Sequence, residues 1–484
     1  MLASLFRCAV QNASARPRLA GSGSTWFVTG AFPGENRVVV RTIRAVPADH
    51  RREILRLAVP AFLALVAEPL FLLADSAIVG HLGTASLAGL GVASAVLLTA
   101  ANIFVFLAYG TTAVVARRSG AHDERGALAA GIDGMWLALL LGLGATAVLV
   151  AFAGPLLRVF GASDEAVAEG TTYLAISAFG IPAMLVVLAA MGVLRGLQDT
   201  RTPMVVAIVG FTANAILSFV LVHPLGFGIA GAAWGTVIAQ AGMAIAMGVV
   251  VVRGARRLGV SLRLHGTGVL QAASGGVPLL VRTLALRAVL LLTTWVAAGL
   301  GEPQLAAHQV AMTVWSSLAF ALDALAIAGQ AITGKALGAG DVRAVRAATS
   351  TMVRWGVWFG VILTVLIVLL HRVIPLGFST DPEVQAALAA ALLVVAAGQP
   401  AAGIAFVLDG VLIGAGDARW LAVAQTGFLL AYLPMVWLLQ ASGVTGTTGL
   451  VWLWVAFGLF MAIRALGLHW RARGDDWLVT GAAR

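Results

Sequence analysis

A single cysteine, Cys8, stands in a chain of 484 residues, so no internal disulfide and no multi-cysteine metal site can form. Charged residues make up only 11% of the chain, against roughly 25% in soluble domains, which excludes an ordinary globular protein. The chain has no HExxH sequence, no paired histidines in an apolar run, no nucleophile motif and no phosphate-binding glycine loop. Neither an enzyme nor a bound metal or cofactor is expected.

Apolar runs fill that space. Hydrophobic residues reach 60%, and beyond Val46 they cover nearly everything. About 20 apolar residues cross a bilayer as a helix, because lipid offers the backbone no hydrogen-bond partner. Spans fall near 57–79, 87–115, 127–152, 170–191, 203–224, 230–251, 270–299, 305–332, 355–371, 384–412, 420–440 and 446–463. The expected fold is an all-α membrane protein with twelve transmembrane helices.

The net charge of +10 suggests a polyanionic partner until its placement is read. Alternate connections and both terminal segments carry nearly all the arginines, among them Arg117, Arg195, Arg256, Arg346 and Arg464. The opposite side holds only Arg158 and Arg372. Positive charge stays in the cytoplasm, so both termini are expected there, in the inner membrane. The basicity reports topology, and the partner it implies is the bilayer, with no nucleic acid. Residues 1–45 mix Arg, Ser, Gly and Pro and hold no signal-peptide core. The extension to residue 50 is expected to be disordered, with a start codon placed too early or a targeting arm as alternatives.

An internal repeat sets the organisation. Gly192, Gly196, Asp199 and Arg201 recur 218 positions later as Gly410, Gly414, Asp417 and Arg419. The same shift carries Gly120, Asp123 and Arg125 to Gly338, Asp341 and Arg343, and Phe160 to Phe378. It also carries Pro60 to Pro278 and Gly83 to Gly301. One gapless offset through loops is a duplicated unit. Six spans per unit is even, so both halves keep one orientation, as two six-helix lobes about a pseudo-two-fold axis along the membrane normal. The lobes are expected at 51–265 and 266–484. A cleft between them suits alternating access, hence a transporter.

Ionisable side chains inside spans cost roughly 2.5–3.5 kcal/mol each and are functional candidates. They are Glu68, Asp75, Asp133, Arg282, Arg287, Asp323 and Asp409, with His308 in addition. Asp133, Asp323 and Asp409 lie near the arginine-rich ends of their spans, where caps or loop arginines account for them. His308, near the other end, reads as a solvated or hydrogen-bonded imidazole. Asp75 differs, because Asn214 and Ser218 on the fifth span and Thr236 on the sixth share its depth. Glu68 lies two turns away on the same face, about 10 Å off, with Pro69 between them to bend the helix. Loss of water favours the neutral form of a carboxyl, which suits a coupling acid. A structural acid is the alternative reading for both. Arg282 and Arg287 point about 140° apart and need different neighbours. Under the repeat, Asp75 falls on Thr293 and Glu68 on Leu286, so the acids belong to the first half alone.

These residues resemble the multidrug and toxic compound extrusion (MATE) transporters, nearest the DinF-like branch. The resemblance rests on Leu73-Ala-Asp75 through Gly83, Arg195-Gly-Leu-Gln-Asp199, Asn214-Ala-Ile-Leu-Ser218 and Gly228-Ile-Ala-Gly231. It continues in Arg282 to Arg287, Leu322-Asp323, Gly334 to Asp341 and Leu408-Asp409 through Gly414. It implies a cation-coupled antiporter exporting drugs or organic metabolites, with Asp75 as the cation- or proton-binding acid beside Asn214 and Thr236. Two departures stand out. Ser218 replaces a second acid of many relatives, and Phe71 replaces a tyrosine of some. A sodium site prefers several anionic oxygens, so the reading favours H⁺ over Na⁺ as coupling ion. Small cationic or amphipathic organic substrates and a monomer are expected. A lipid-linked saccharide flippase of the same superfamily and a Na⁺-coupled multidrug antiporter are the alternatives.

Overall fold

This computed structural model describes residues 49–159 and 163–482, without the side chains at 49, 50, 68 and 70–74. The expectations for the first 48 residues and for Phe160 fall outside the described residues. Fifteen helices form among the described residues: α1 (Asp49–Gly80), α2 (Thr84–Phe104), α3 (Phe106–Gly120), α4 (Glu124–Arg158), α5 (Asp164–Ala178), α6 (Ile181–Gly196), α7 (Arg201–Val222) and α8 (Gly228–Arg257). The second half contributes α9 (Gly266–Ala298), α10 (Glu302–Gly338), α11 (Val342–Leu370), α12 (Ile374–Phe378), α13 (Pro382–Gly414), α14 (Ala418–Ala441) and α15 (Gly446–Arg473).

Ten segments are long and apolar enough to cross a bilayer, with α2 and α3 counted as one, and the bent pair α5 and α6 adds an eleventh. α1, 32 residues long and continuous through Pro60 and Pro69, supplies the twelfth. Two spans expected as single helices are broken. The second break, a 49° bend, precedes Pro182, which has no N–H to continue the ladder. The first falls at Val105, where no proline or glycine stands. Just before it, Thr99 Oγ1 and Asn102 Nδ2 donate to carbonyls four residues back, a competition that bends helices. Helix ends also outrun the apolar slab: the last span, expected to stop at 463, continues to Arg473.

The 218-residue repeat holds in three dimensions. Left-handed backbone at Gly83, His122, Gln198 and Gly228 recurs at Gly301, Gly340, Gly416 and Gly446. Asp123 caps α4 through the Gly126 N–H, and Asp341 caps α11 through that of Ala344. Thr146 Oγ1 donates to the Ala178 carbonyl at 2.7 Å, and Thr364 Oγ1 donates to that of Ala396 at the same distance. Gly142 admits Pro182 against α4 as Gly360 admits Pro400 against α11; a Cβ at either glycine would strike the proline. In lipid, such backbone approach supplies the packing that hydrophobicity cannot.

The halves meet where α10 packs on α3 and α1, at the end of the bundle that carries most arginines. Gly120 and Gly338 let these helices touch, each against a backbone carbonyl of the other. Arg117 of α3 donates to the carbonyls of Ala415, Val479 and Gly481. The Gly481 N–H in turn donates to the Leu337 carbonyl of α10 at 3.0 Å. Trp477, fully buried, anchors this strap by donating to the carbonyls of Ala472 and Gly474. The seam is shut at this end.

Candidate functional site

Asp75 is 3% exposed and lies five residues before Gly80, the end of α1. Tyr173 of α5 donates its hydroxyl to Asp75 Oδ2 at 3.1 Å. Ser218 of α7 faces the same carboxyl. Ser218 Oγ donates to Asn214 Oδ1 at 3.0 Å, Asn214 Nδ2 to Thr236 Oγ1 at 3.4 Å, and Thr236 Oγ1 to the Ala232 carbonyl at 3.1 Å. Four helices thus close one polar pocket in an apolar wall. The close approach of α7 and α8 depends on Gly235, whose added Cβ would meet Ser218. Among the described residues, Asp75 Oδ1 and Ser177 Oγ are buried there without hydrogen-bond partners. No arginine, lysine or histidine pairs with Asp75 among the described residues. A buried acid with one neutral donor and an unspent oxygen can take a proton or a small cation, since either supplies the missing partner.

Asp75, Asn214, Ser218 and Thr236 therefore come together as the sequence suggested. Tyr173 joins them unannounced. Its signal was slight: one of three tyrosines in the chain, alone in an apolar span. Glu68 lies on α1, but its side chain is outside the described residues.

The remaining candidates form a second group. Arg282 of α9 makes a paired contact with both Asp409 oxygens of α13, and Arg464 Nη2 of α15 reaches Oδ2 at 2.9 Å. Asp409 is thus neither a cap nor the partner of a loop arginine. Its partners are two buried arginines within the bundle, and Arg464 belongs to the last transmembrane helix instead of the tail. Hydropathy hid this, because a charge at the apolar edge of a span reads as its end. Arg287 is half-buried and points elsewhere, as its spacing required. Asp323 is half-buried, and its side chain makes no hydrogen bond among the described residues. Asp133 sits 3.8 Å from His265 at the start of α9. His308 is fully buried, not solvated; its Nε2 lies 3.3 Å from Thr294 Oγ1 and its ring against Trp454.

Comparison with known proteins now identifies the class. The MatE family model matches residues 60–220 and again 278–438, the two copies separated by the same 218 positions. "Protein DETOXIFICATION 44, chloroplastic" of Arabidopsis thaliana is 32% identical over 452 residues, 89% of this chain and 84% of that protein. "DNA damage-inducible protein F" of Escherichia coli K12 is 30% identical over 440 residues, covering 86% and 92%. A solved outward-facing multidrug resistance MATE family transporter of the MOP superfamily shares the fold, with a TM-score of 0.78, 23% identity, and 88% and 96% coverage. The chain belongs to the MATE family of membrane transporters, which move compounds rather than transform them.

Proposed function

We propose that this MATE transporter is a proton-coupled antiporter that exports small organic compounds, with Asp75 as the titrating acid. The observation that carries this reading is the Asp75 carboxyl, removed from water and, among the described residues, unpaired with any cation and with one oxygen lacking a partner. Tyr173 donates its hydroxyl to the carboxyl, and Ser218, held in place by Asn214 and Thr236, puts a second hydroxyl beside the charge left when the proton leaves. The lobes are 51–265 and 266–484, with both termini cytoplasmic in the inner membrane of a monomer. With that orientation the shut seam faces the cytoplasm. The proton arrives from the other side, neutralises Asp75 and lets α1 repack.

The reading is tested in proteoliposomes under an imposed pH or Na⁺ gradient, with wild type beside Asp75→Asn. Exchange driven by the pH gradient and lost in Asp75→Asn supports it. Exchange that follows only the Na⁺ gradient assigns the same pocket to Na⁺. Exchange indifferent to the substitution removes Asp75 from the mechanism.

A further inference from the structure

The end of the bundle opposite the arginine-rich seam holds a pair of histidines that the coupling step does not use. His81 follows the last residue of α1, and His223 follows the last residue of α7. The two helices pack along each other, and the imidazole rings meet edge to face with centroids 6.3 Å apart. The Phe219 ring, its centroid 5.2 Å from that of His223, backs the second imidazole. Both histidines are exposed.

What the pair can bind follows from what its nitrogens have left to do. His81 Nδ1 lies 2.6 Å from the Ala77 carbonyl. A carbonyl only accepts, so Nδ1 carries the hydrogen and Nε2 of the neutral ring keeps its lone pair. Metal-ligating histidines adopt this arrangement, because a bond from the other ring nitrogen fixes the tautomer and raises ligand basicity. Each histidine also stands at a helix C-terminus, where unpaired carbonyls favour a cation. Two imidazoles sharing one tetrahedral ion, with N–metal distances of about 2.0–2.1 Å, have centroids about 5 Å apart. Exposed side chains change rotamer readily, so closing the gap by about 1 Å needs no backbone movement. Among the described residues no group of three or more His, Cys, Asp or Glu can hold a metal. Water therefore fills the remaining positions, which makes the site exchangeable instead of structural.

The pair belongs to the half that holds the acid. Shifted by 218 positions, His81 falls on Gly299 and His223 on Ala441, so neither imidazole is repeated in the second half. His81 lies six residues beyond Asp75, about 9 Å along the helix axis. His223 lies five beyond Ser218. The histidines thus stand over the mouth of the Asp75 pocket, one on each of two helices that build it.

From this we infer that His81 and His223 together bind a divalent transition-metal ion such as Zn²⁺, and that the bound ion clamps the end of α1 to the end of α7. Imidazole suits zinc, copper and nickel, whereas Mg²⁺ and Ca²⁺ prefer oxygen ligands. The clamp joins the helix that carries the coupling acid to the helix that carries Ser218. It holds the pocket in its present arrangement and slows exchange. The slowing rests on the coupling reading of Asp75; the metal site does not.

The test is a Zn²⁺ titration of the purified full chain in nanodiscs, free of any affinity tag, read by competition with a fluorescent zinc chelator. Mg²⁺ is the control. Saturable Zn²⁺ binding is expected, with no response to Mg²⁺. His81→Gln or His223→Gln should weaken it by roughly tenfold to a hundredfold, at least what loss of an outer-shell partner costs a metal site. Both positions are exposed, and either variant serves if the other does not fold. In proteoliposomes the same Zn²⁺ concentration should slow pH-driven exchange in wild type, a loss that both variants escape. Zn²⁺ binding that is absent from wild type, or that ignores both substitutions, overturns the site. Binding lost in both variants without any slowing of wild-type exchange overturns the clamp. Wild type that binds Zn²⁺ through both histidines yet exchanges nothing under either gradient keeps the site and removes the coupling reading instead.

Discussion

The same architecture holds two different chemistries at equivalent places. In the first half Asp75, Tyr173, Asn214, Ser218 and Thr236 enclose an acid. In the second half their mates are Thr293, Ala391, Tyr432, Val436 and Trp454. Helix contacts are kept there, and Thr293 Oγ1 still meets Tyr432 OH at 2.8 Å, yet no ionisable carboxyl remains. The charged group between the lobes reverses the asymmetry. Arg282, Asp323, Asp409 and Arg464 fall on Ala64, Val105, Met191 and Ala246 of the first half. Duplication supplied two copies of one scaffold, and the copies now carry different polar groups: a lone buried acid in the first and a set of ion-paired charges in the second.

The largest test of that division is at Asp75. Asp75→Asn should reduce gradient-driven exchange in proteoliposomes to the leak rate while the protein still purifies folded. Adding Thr293→Asp should not restore exchange, because Trp454 and Val436 cannot solvate the new charge. Restored exchange would make the halves interchangeable. Next in size is Asp409→Asn, which leaves Arg282 and Arg464 buried without a full partner. Breaking such a set costs about 3–5 kcal/mol, read as lost stability in a denaturant titration in detergent. The corresponding Met191→Ala in the first half should cost less, about 2 kcal/mol, because no charge is stranded.

Tyr173→Phe removes the hydroxyl that donates to Asp75 Oδ2. A slowing of about fivefold is expected for roughly 1 kcal/mol of hydrogen bond, with exchange still tied to the pH gradient. Smallest is the paired test of the scaffold itself. Thr146→Val and Thr364→Val each delete the same hydrogen bond and should each cost about 1 kcal/mol. Unequal losses would show that the two copies no longer share even their packing.

Much of this was legible before any coordinates. The offset of 218 predicted corners that the backbone repeats, from Gly83 with Gly301 to Asp123 with Asp341. Turn chemistry and helix caps are local, so register survives in the letters. Asp75, Asn214, Ser218 and Thr236 could be placed at one depth because each lies a counted distance from a span end. Tyr173 could not, since its span was expected to begin at 170, three residues before it, whereas α5 begins at Asp164 and sets it deeper. The partner of Asp409 was missed for a related reason. Arg464 stands where apolar sequence gives way to basic sequence, and only packing against α13 and α9 shows that the helix is still inside the bundle. The break before α6 was not expected, although Pro182 stands beside it; the break at Val105 falls where Thr99 and Asn102 bond to their own helix, which no pattern announces.

The strap that ties Arg117 to Val479 and Gly481 has a consequence for biogenesis. Its residues leave the ribosome after all twelve spans, yet they fasten a helix inserted near the beginning. Until they arrive, the two bundles can be membrane-inserted and individually folded while their shared mouth is unlatched. Closure of the seam thus waits for a segment made after the last span, and a bulky fusion placed just beyond Gly481 should loosen the seam before it disturbs either bundle.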